Sequence, residues 1–332
     1  MTAAARASAW AIAAGLSLAA RGAPADTPRD APAAIEVDRD AAPAGRVGFG
    51  FDGGQPVDAW GASLAVSWLE RPIRLAGGAL GEGSAATDPV RRRQTVALGG
   101  ALALHDAIAI DAQLRASHQV GDRLRALGDP APLAATVLHD LRLGGRIRIV
   151  GTRARAALVR AELTLPTGDA AQLAGEPRWT AAWSLIGRTT FERGVVAAAT
   201  IGIRLRGAEV AIGDRVIGDE LFAAAGVAVP VAPGWAVTGE ALGALGDRVA
   251  GRVGPSPLEA RLGGLAEPVP GFRIGAHVGL GQGDQIGAPR LRAGLTVAWT
   301  PDRPRATATD EAGRDDRGSD ASDDGDASDD GD

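Results

Sequence analysis

Between Trp60 and Trp299 the chain repeatedly alternates apolar positions with polar or small ones. Trp60, Ala62, Leu64, Val66 and Trp68 are interleaved with Gly61, Ser63, Ala65 and Ser67. Leu141, Leu143, Ile147 and Ile149 are interleaved with Arg142, Gly144, Arg146 and Arg148. Ala157, Val159, Ala161, Leu163 and Leu165 likewise share a stretch with Arg160, Glu162 and Thr164. Successive side chains of a strand point to opposite faces. A helix would scatter Arg142, Arg146 and Arg148 around its circumference and break the apolar stripe. The pattern therefore predicts twelve strands, over 58–69, 94–104, 107–117, 139–150, 154–165, 179–189, 194–205, 220–230, 235–245, 258–266, 271–281 and 290–299. Each is about ten residues long, the length of a tilted strand crossing a bilayer, whereas soluble strands average about five or six.

The connections carry a second periodicity. Tight ones lie at His105-Asp106, Gly151-Thr152-Arg153, 190–193, 231–234 and 267–270, and long ones over 70–93, 118–138, 166–178, 206–219, 246–257 and 282–289. Short and long alternate throughout, the asymmetry of an outer-membrane barrel with tight periplasmic turns and larger external loops. The expected fold is all-β: an antiparallel up-and-down transmembrane β-barrel of about twelve strands over residues 57–300, with both termini in the periplasm of a Gram-negative cell. Its partners are then outer-membrane lipid and the barrel assembly machinery, with small solutes as cargo. The competing architecture is a soluble periplasmic β-barrel binding protein, in which Leu141, Leu143, Ile147 and Ile149 would point inward.

Aromatic side chains favour the two interfaces of a bilayer. Trp60, Phe191, Trp235, Phe272 and Trp299 fall at one end of the predicted strands, and Trp68, Trp179 and Phe222 at the other. The expected interface set is Trp60, Trp68, Trp179, Trp235 and Trp299. The charged residues occupy the opposite parity. Arg115, Arg142, Arg146, Arg148, Arg160, Glu162, Arg204, Glu240, Glu259, Arg261 and Arg273 all fall on the predicted lumen face, as do Asp111, Gln113 and Arg292. An Arg facing lipid near the midplane costs roughly 2–4 kcal/mol, which drives these groups inward. There they either pair and fill the barrel or line a narrow, anion-preferring pore.

The ends differ from the middle. Arg6, the apolar run Ser8 to Ala20 and Ala23-Pro24-Ala25 read as a secretory signal over residues 1–25. Residues 26–56 follow as a flexible leader, rich at first in Pro, Ala and Asp. At the other end, residues 301–332 form a disordered acidic tail. From Asp310 onward it carries a net −9 of the whole chain's −5, so the preceding part is at +4. The twice-repeated Asp-Asp-Gly-Asp of this tail, with Asp323, Asp324 and Asp326, is the one segment whose clustered carboxylates suit Ca²⁺. It lacks a bidentate Glu, and a solvated linker is the expectation, with no cofactor and no metal. An acidic tail and the lack of basic clusters with aromatics disfavour nucleic acid.

Candidate catalytic chemistry is sparse. The chain has no Cys, and all 35 basic residues are Arg. His105, His118, His139 and His277 show no metal-ligand spacing, and there is no GxSxG, P-loop or HExxH pattern. Gly279 to Gly287 (GLGQGDQIG) is Gly-rich but precedes no helix signal. A non-enzyme is expected.

Three stretches carry a family resemblance: HDLRLGGRIRI (139–149) followed by ELTLPTGD (162–169), VIGDELFAAAGVAVPV (216–231), and GLGQGDQIGAPRLRAGL (279–295). They resemble the N-terminal β-barrel of OmpA-family outer-membrane proteins, in which an Asp-rich linker of thrombospondin type 3 character follows the barrel. They are also similar to barrels grouped with outer-membrane transporters of hydrophobic compounds. The resemblance implies a structural barrel or a narrow passive channel, and alternatively a transporter delivering hydrophobic compounds laterally. The final strand, with Gly294, Val297 and Trp299, fits the polar-x-Gly-x-x-apolar-x-aromatic pattern of a barrel assembly signal.

Overall fold

The computed structural model describes residues 51–54, 59–75, 87–152, 154–212, 215–246, 248–249, 252–253, 257–282 and 286–301. The segment expected to be a secretory signal, the expected leader up to residue 50 and the acidic tail with Asp323, Asp324 and Asp326 lie outside the described residues.

Twelve antiparallel strands form a closed barrel. They are β1 (Trp60–Leu75), β2 (Thr87–His105), β3 (Ile108–Val120), β4 (Leu141–Gly151), β5 (Arg155–Leu165) and β6 (Thr180–Thr190). Then come β7 (Val196–Arg206), β8 (Glu220–Ala232), β9 (Trp235–Leu245), β10 (Leu258–Val269), β11 (Phe272–Gly281) and β12 (Leu291–Trp299). Each strand pairs with its neighbours in sequence, and β12 closes on β1 from Ala62 opposite Trp299 to Glu70 opposite Leu291. A three-residue piece, Thr136–Leu138, pairs with β3 beyond the end of β4. The interruption between them falls at His139-Asp140.

The tight turns use left-handed backbone, at Gly151, Gly194, Gly234 and Gly271. Pro233-Gly234 joins β8 to β9, with Gly234 at φ +73°. That left-handed value favours glycine, and a two-residue connection needs it to reverse the chain.

Two strands run further than the alternation predicts. β1 continues to Leu75 and β2 begins at Thr87, pairing Ile73 with Val90 and Leu75 with Thr87 beyond a bulge after Glu70. Arg71 takes φ +49° at that bulge, and Pro72 follows it. The irregularity masks the strand pattern in the sequence, because the extra residue of a bulge interrupts the ladder and the pairing shifts again between Ile73 and Leu75.

The barrel is inside out relative to a soluble protein. Leu64, Leu98, Leu143, Ile149, Ile201, Leu262 and Leu280 are exposed on the outer wall, while Arg93, Arg115, Arg142, Arg146, Arg160, Arg261 and Arg292 are buried inside. A continuous apolar belt of this extent far exceeds the few hundred Å² that soluble monomers tolerate. An apolar solvent stabilises it. The outward exposure of Leu143 and Ile149 is the reverse of the soluble-barrel arrangement.

A conventional core also exists, at the long-connection end. Ile73, Leu75, Val90, Leu124, Leu173, Val210, Ile212, Ile217 and Ile286 pack into one buried cluster. Four of the long connections and the extended ends of β1 and β2 contribute to it and so form a roof over that mouth. Four short strands, Val210–Ile212, Arg215–Ile217, Arg248–Val249 and Arg252–Val253, make a small second sheet there.

Candidate functional site: the charged lumen

The lumen charges gather into three groups, each set by strand register. The first lies on β3, β4 and β5. Arg146 and Arg160 stand directly opposite each other across the β4–β5 pair. Like charges in that position repel, and carboxylates offset them. Arg160 donates to both oxygens of Asp111, at 2.5 and 2.8 Å, and to Glu162 at 3.1 Å.

A further carboxylate enters this group from outside the wall. Asp52 accepts from Arg146 Nη1 at 2.9 Å and from Arg160 Nη1 at 3.3 Å. It also accepts the Gly54 N–H at 2.9 Å, a local turn that fixes the carboxylate. Burial pushes the Asp52 carboxyl up, but Arg146, then Arg160 and the Gly54 N–H outweigh it, leaving the pKa below the ordinary 3.8. Phe51, beside it, packs on Ala198 and Ala224, with Val196, Ala228 and Leu242 around it. The four residues 51–54 therefore cross the lumen from the β4–β5 wall to the β7–β9 wall. Composition places them in the flexible leader, yet they are packed inside the barrel, because a buried arginine pair and a recess of small side chains hold them. One signal was present in the sequence: GFGFDGG (48–54) breaks the Pro/Ala/Asp composition and holds two of the chain's five Phe.

The second group sits on β10 and β12. Glu259 accepts from Arg261 Nε at 2.7 Å and from Arg292 Nε at 2.8 Å. Arg292 is completely buried. The third lies towards the roofed end, where Arg204 donates to Glu220 at 2.6 Å from the directly opposite position. Arg206 reaches both Glu176 and Glu220 at 3.3 Å. Glu176 comes from a long connection, which ties that connection to the wall.

The remaining expected lumen residues separate by depth. Arg115 and Glu240 are buried on the inner face, Glu240 opposite Arg261 in register. Arg142 is buried beside Gln113 in register, and Arg148 is half-buried near the tight-turn end. Arg273 lies by the β10–β11 turn and pairs with Glu267 at 2.9 Å. Trp60, Trp235 and Trp299 stand exposed on the outer wall at the tight-turn end, and Trp68 and Trp179 are half-buried at the other. Trp299 packs against Phe272, with ring centroids 6.1 Å apart.

Phe222 departs from the expected girdle. It lines the inner cavity, with the Arg204 guanidinium 5.5 Å from its ring centre. It shares parity with Glu220 and Ala224, so the alternation itself points it inward. Depth along the strand alone had suggested an interface. A buried polar chain was also hidden from sequence: Thr95 to Ser117 at 2.8 Å and Ser117 to His139 at 2.5 Å. These residues come from three different strands or connections and meet only through register. Among the described residues no cluster of His, Asp or Glu has the makings of a metal site.

Among the three groups lies a cavity of about 100 Å³, lined by Phe51, Asp52, Arg160, Phe222, Leu242 and Glu259 among others. Its walls are mainly apolar although its corners are charged.

No family model matches the chain, and no curated protein sequence matches it. Solved structures do. An outer-membrane channel from Pseudomonas putida F1 is similar over 76% of this chain and 99% of that one, with a TM-score of 0.55 at 15% identity. The KdgM porin aligns over 73% of this chain and 99% of its own at 5% identity, with a TM-score of 0.44. The NanC porin aligns over 73% and 100%, again at 5%, with a TM-score of 0.45. The likeness to the first shows a shared fold, that of an outer-membrane β-barrel.

Proposed function

We propose that this chain is a narrow passive channel of the outer membrane, oriented with its tight turns and both termini in the periplasm and its roofed mouth outside. The observation that carries the reading is the lumen. Its inward arginines, including Arg93, Arg115, Arg142, Arg146, Arg148, Arg160, Arg204, Arg261 and Arg292, outnumber its carboxylates. A confined excess of guanidinium groups favours anions, and charge lining is how such pores select. The bore is small, because Arg93, Arg115 and Arg292 are packed rather than wetted. The lipid partner follows from the apolar belt, and the assembly machinery would meet the strand ending at Trp299. Within this reading the chain performs no catalysis and holds no cofactor. An apolar-walled cavity inside the lumen favours cargo with an apolar part over a fully hydrated ion.

Planar-bilayer recording tests the channel. Folded protein, verified by heat-modifiable gel mobility, should give small stable openings whose reversal potential in a salt gradient reports anion preference. Replacing Arg148, which lies half-buried outside the ion-pair groups described above, with Glu should move that preference towards cations. Lasting silence from folded protein, or an unmoved reversal potential, refutes the reading.

A further inference from the structure

We propose that Phe51 and Asp52 are a built-in occupant of a ligand site in the lumen, and that the site's external ligand is a small monocarboxylate carrying an apolar body. The inference rests on the solute-passing reading above and names the class of solute.

The wall leaves one positive charge over before the leader arrives, since Arg142, Arg146 and Arg160 face only the two carboxylates of Asp111 and Glu162 within this group. Arg146 and Arg160 are held opposite each other by the β4–β5 register and are both buried. Asp52 places one oxygen on each of them, at 2.9 and 3.3 Å. That is how a ligand carboxylate would bridge two guanidinium groups. Phe51 fills the neighbouring recess, whose floor is Ala198 and Ala224 and whose rim is Val196, Ala228 and Leu242. In a lumen of charged groups, this arc is kept apolar by small and aliphatic side chains. The cavity of about 100 Å³ adjoining both residues extends the same apolar surface past Phe222 and Pro257.

The occupant is shaped to its seat. Gly54 adopts φ +68°, and a Cβ there would come within 2.8 Å of Leu158 Cδ1 and 3.2 Å of Ile186 Cγ2. Only glycine lets the backbone press against the β5–β6 wall while its N–H holds the Asp52 carboxylate. A tethered group of this kind competes at an effective concentration on the order of millimolar. A free ligand must displace it, so removing the Asp52 charge should strengthen ligand binding.

The test is calorimetric titration of the folded, detergent-solubilised full chain with phenylacetate, with acetate and benzyl alcohol as the two halves of the probe. Asp52→Asn keeps the local turn and removes the charge, and Phe51→Ala empties the recess. Phenylacetate should bind Asp52→Asn at least about tenfold more tightly than the native protein, and more tightly than either half. Adding Arg146→Gln to Asp52→Asn should abolish the gain. Phe51→Ala, read on the same titration, should also bind phenylacetate more tightly than the native chain. Equal affinity in native and Asp52→Asn proteins, or acetate binding as well as phenylacetate, overturns the proposal. Binding is read without conductance, so a barrel that binds but stays silent in bilayers sinks the channel alone. One that conducts but does not bind sinks the site alone.

Discussion

Arg160 reaches Asp111 across an intervening strand, and it does so over the bare backbone of Gly144. Gly144 stands opposite Asp111 on one side and Glu162 on the other. A Cβ there would collide with the Arg160 guanidinium and with Asp111 Oδ1. The two-point ion pair thus exists because one position of β4 has no side chain.

Gly144→Ala should therefore lower stability by about 1–3 kcal/mol, the usual cost of overpacking a filled interior. The readout is the temperature at which the heat-modifiable band converts to the unfolded position. Gly100→Ala is the control, since its Cβ would meet nothing nearer than Gly61 O at 4.0 Å. A shared shift in the two variants would show that the pair does not depend on Gly144.

The latch of residues 51–54 should respond to acid in a definite window. The Asp52 carboxyl titrates below its ordinary 3.8 in the folded barrel. A lowered folded pKa contributes stability that is present in full above the ordinary value and is lost as pH falls through the folded one. The segment should stay seated from neutral pH down to about 4 and release only below it. Protease access to the 51–54 segment in the folded protein reports release. Release near pH 6 would mean that another group holds it.

The roof should be separable from the wall. Leu173 is completely buried in the loop cluster at the long-connection end, and a buried Leu→Ala change costs about 2–5 kcal/mol. Leu173→Ala should make the long connections susceptible to limited proteolysis while leaving the barrel's heat-modifiable mobility intact. Loss of the folded band would show that the roof is part of the barrel's own stability.

Trp299 should matter to assembly beyond its packing. It ends β12, stands opposite Ala62 of β1 and packs against Phe272 in a tilted ring pair. Burial of one aromatic is worth roughly 1.5–3 kcal/mol, yet Trp299→Ala should reduce the inserted amount far more than Trp183→Ala does. Trp183 lies within β6, away from the closing strand. Quantitative membrane fractionation compares them, and equal losses would leave ordinary interface packing as the explanation.

The alternation of Leu141, Leu143, Ile147 and Ile149 with Arg142, Arg146 and Arg148 already determined the strands, their inward and outward faces and their antiparallel order. That was possible because a strand's period is local: each side chain's face follows from its parity, and short connections leave adjacent strands no other partner. Parity alone could even have corrected Phe222. What needed the tertiary structure depends on contacts between distant segments. The roof of Ile73, Leu124, Leu173, Ile212 and Ile286 draws on the end of β1 and on four connections whose sequences share no period. The extended pairing of β1 with β2 lies past a bulge that interrupts the ladder. Ser117 meets His139, and Arg160 meets Asp111, only once register is fixed. The seat of Phe51 and Asp52 was the least legible of all. Four residues with no strand pattern were held in place by a pair of arginines 94 and 108 positions away, and nothing local in their sequence encodes where that pair stands.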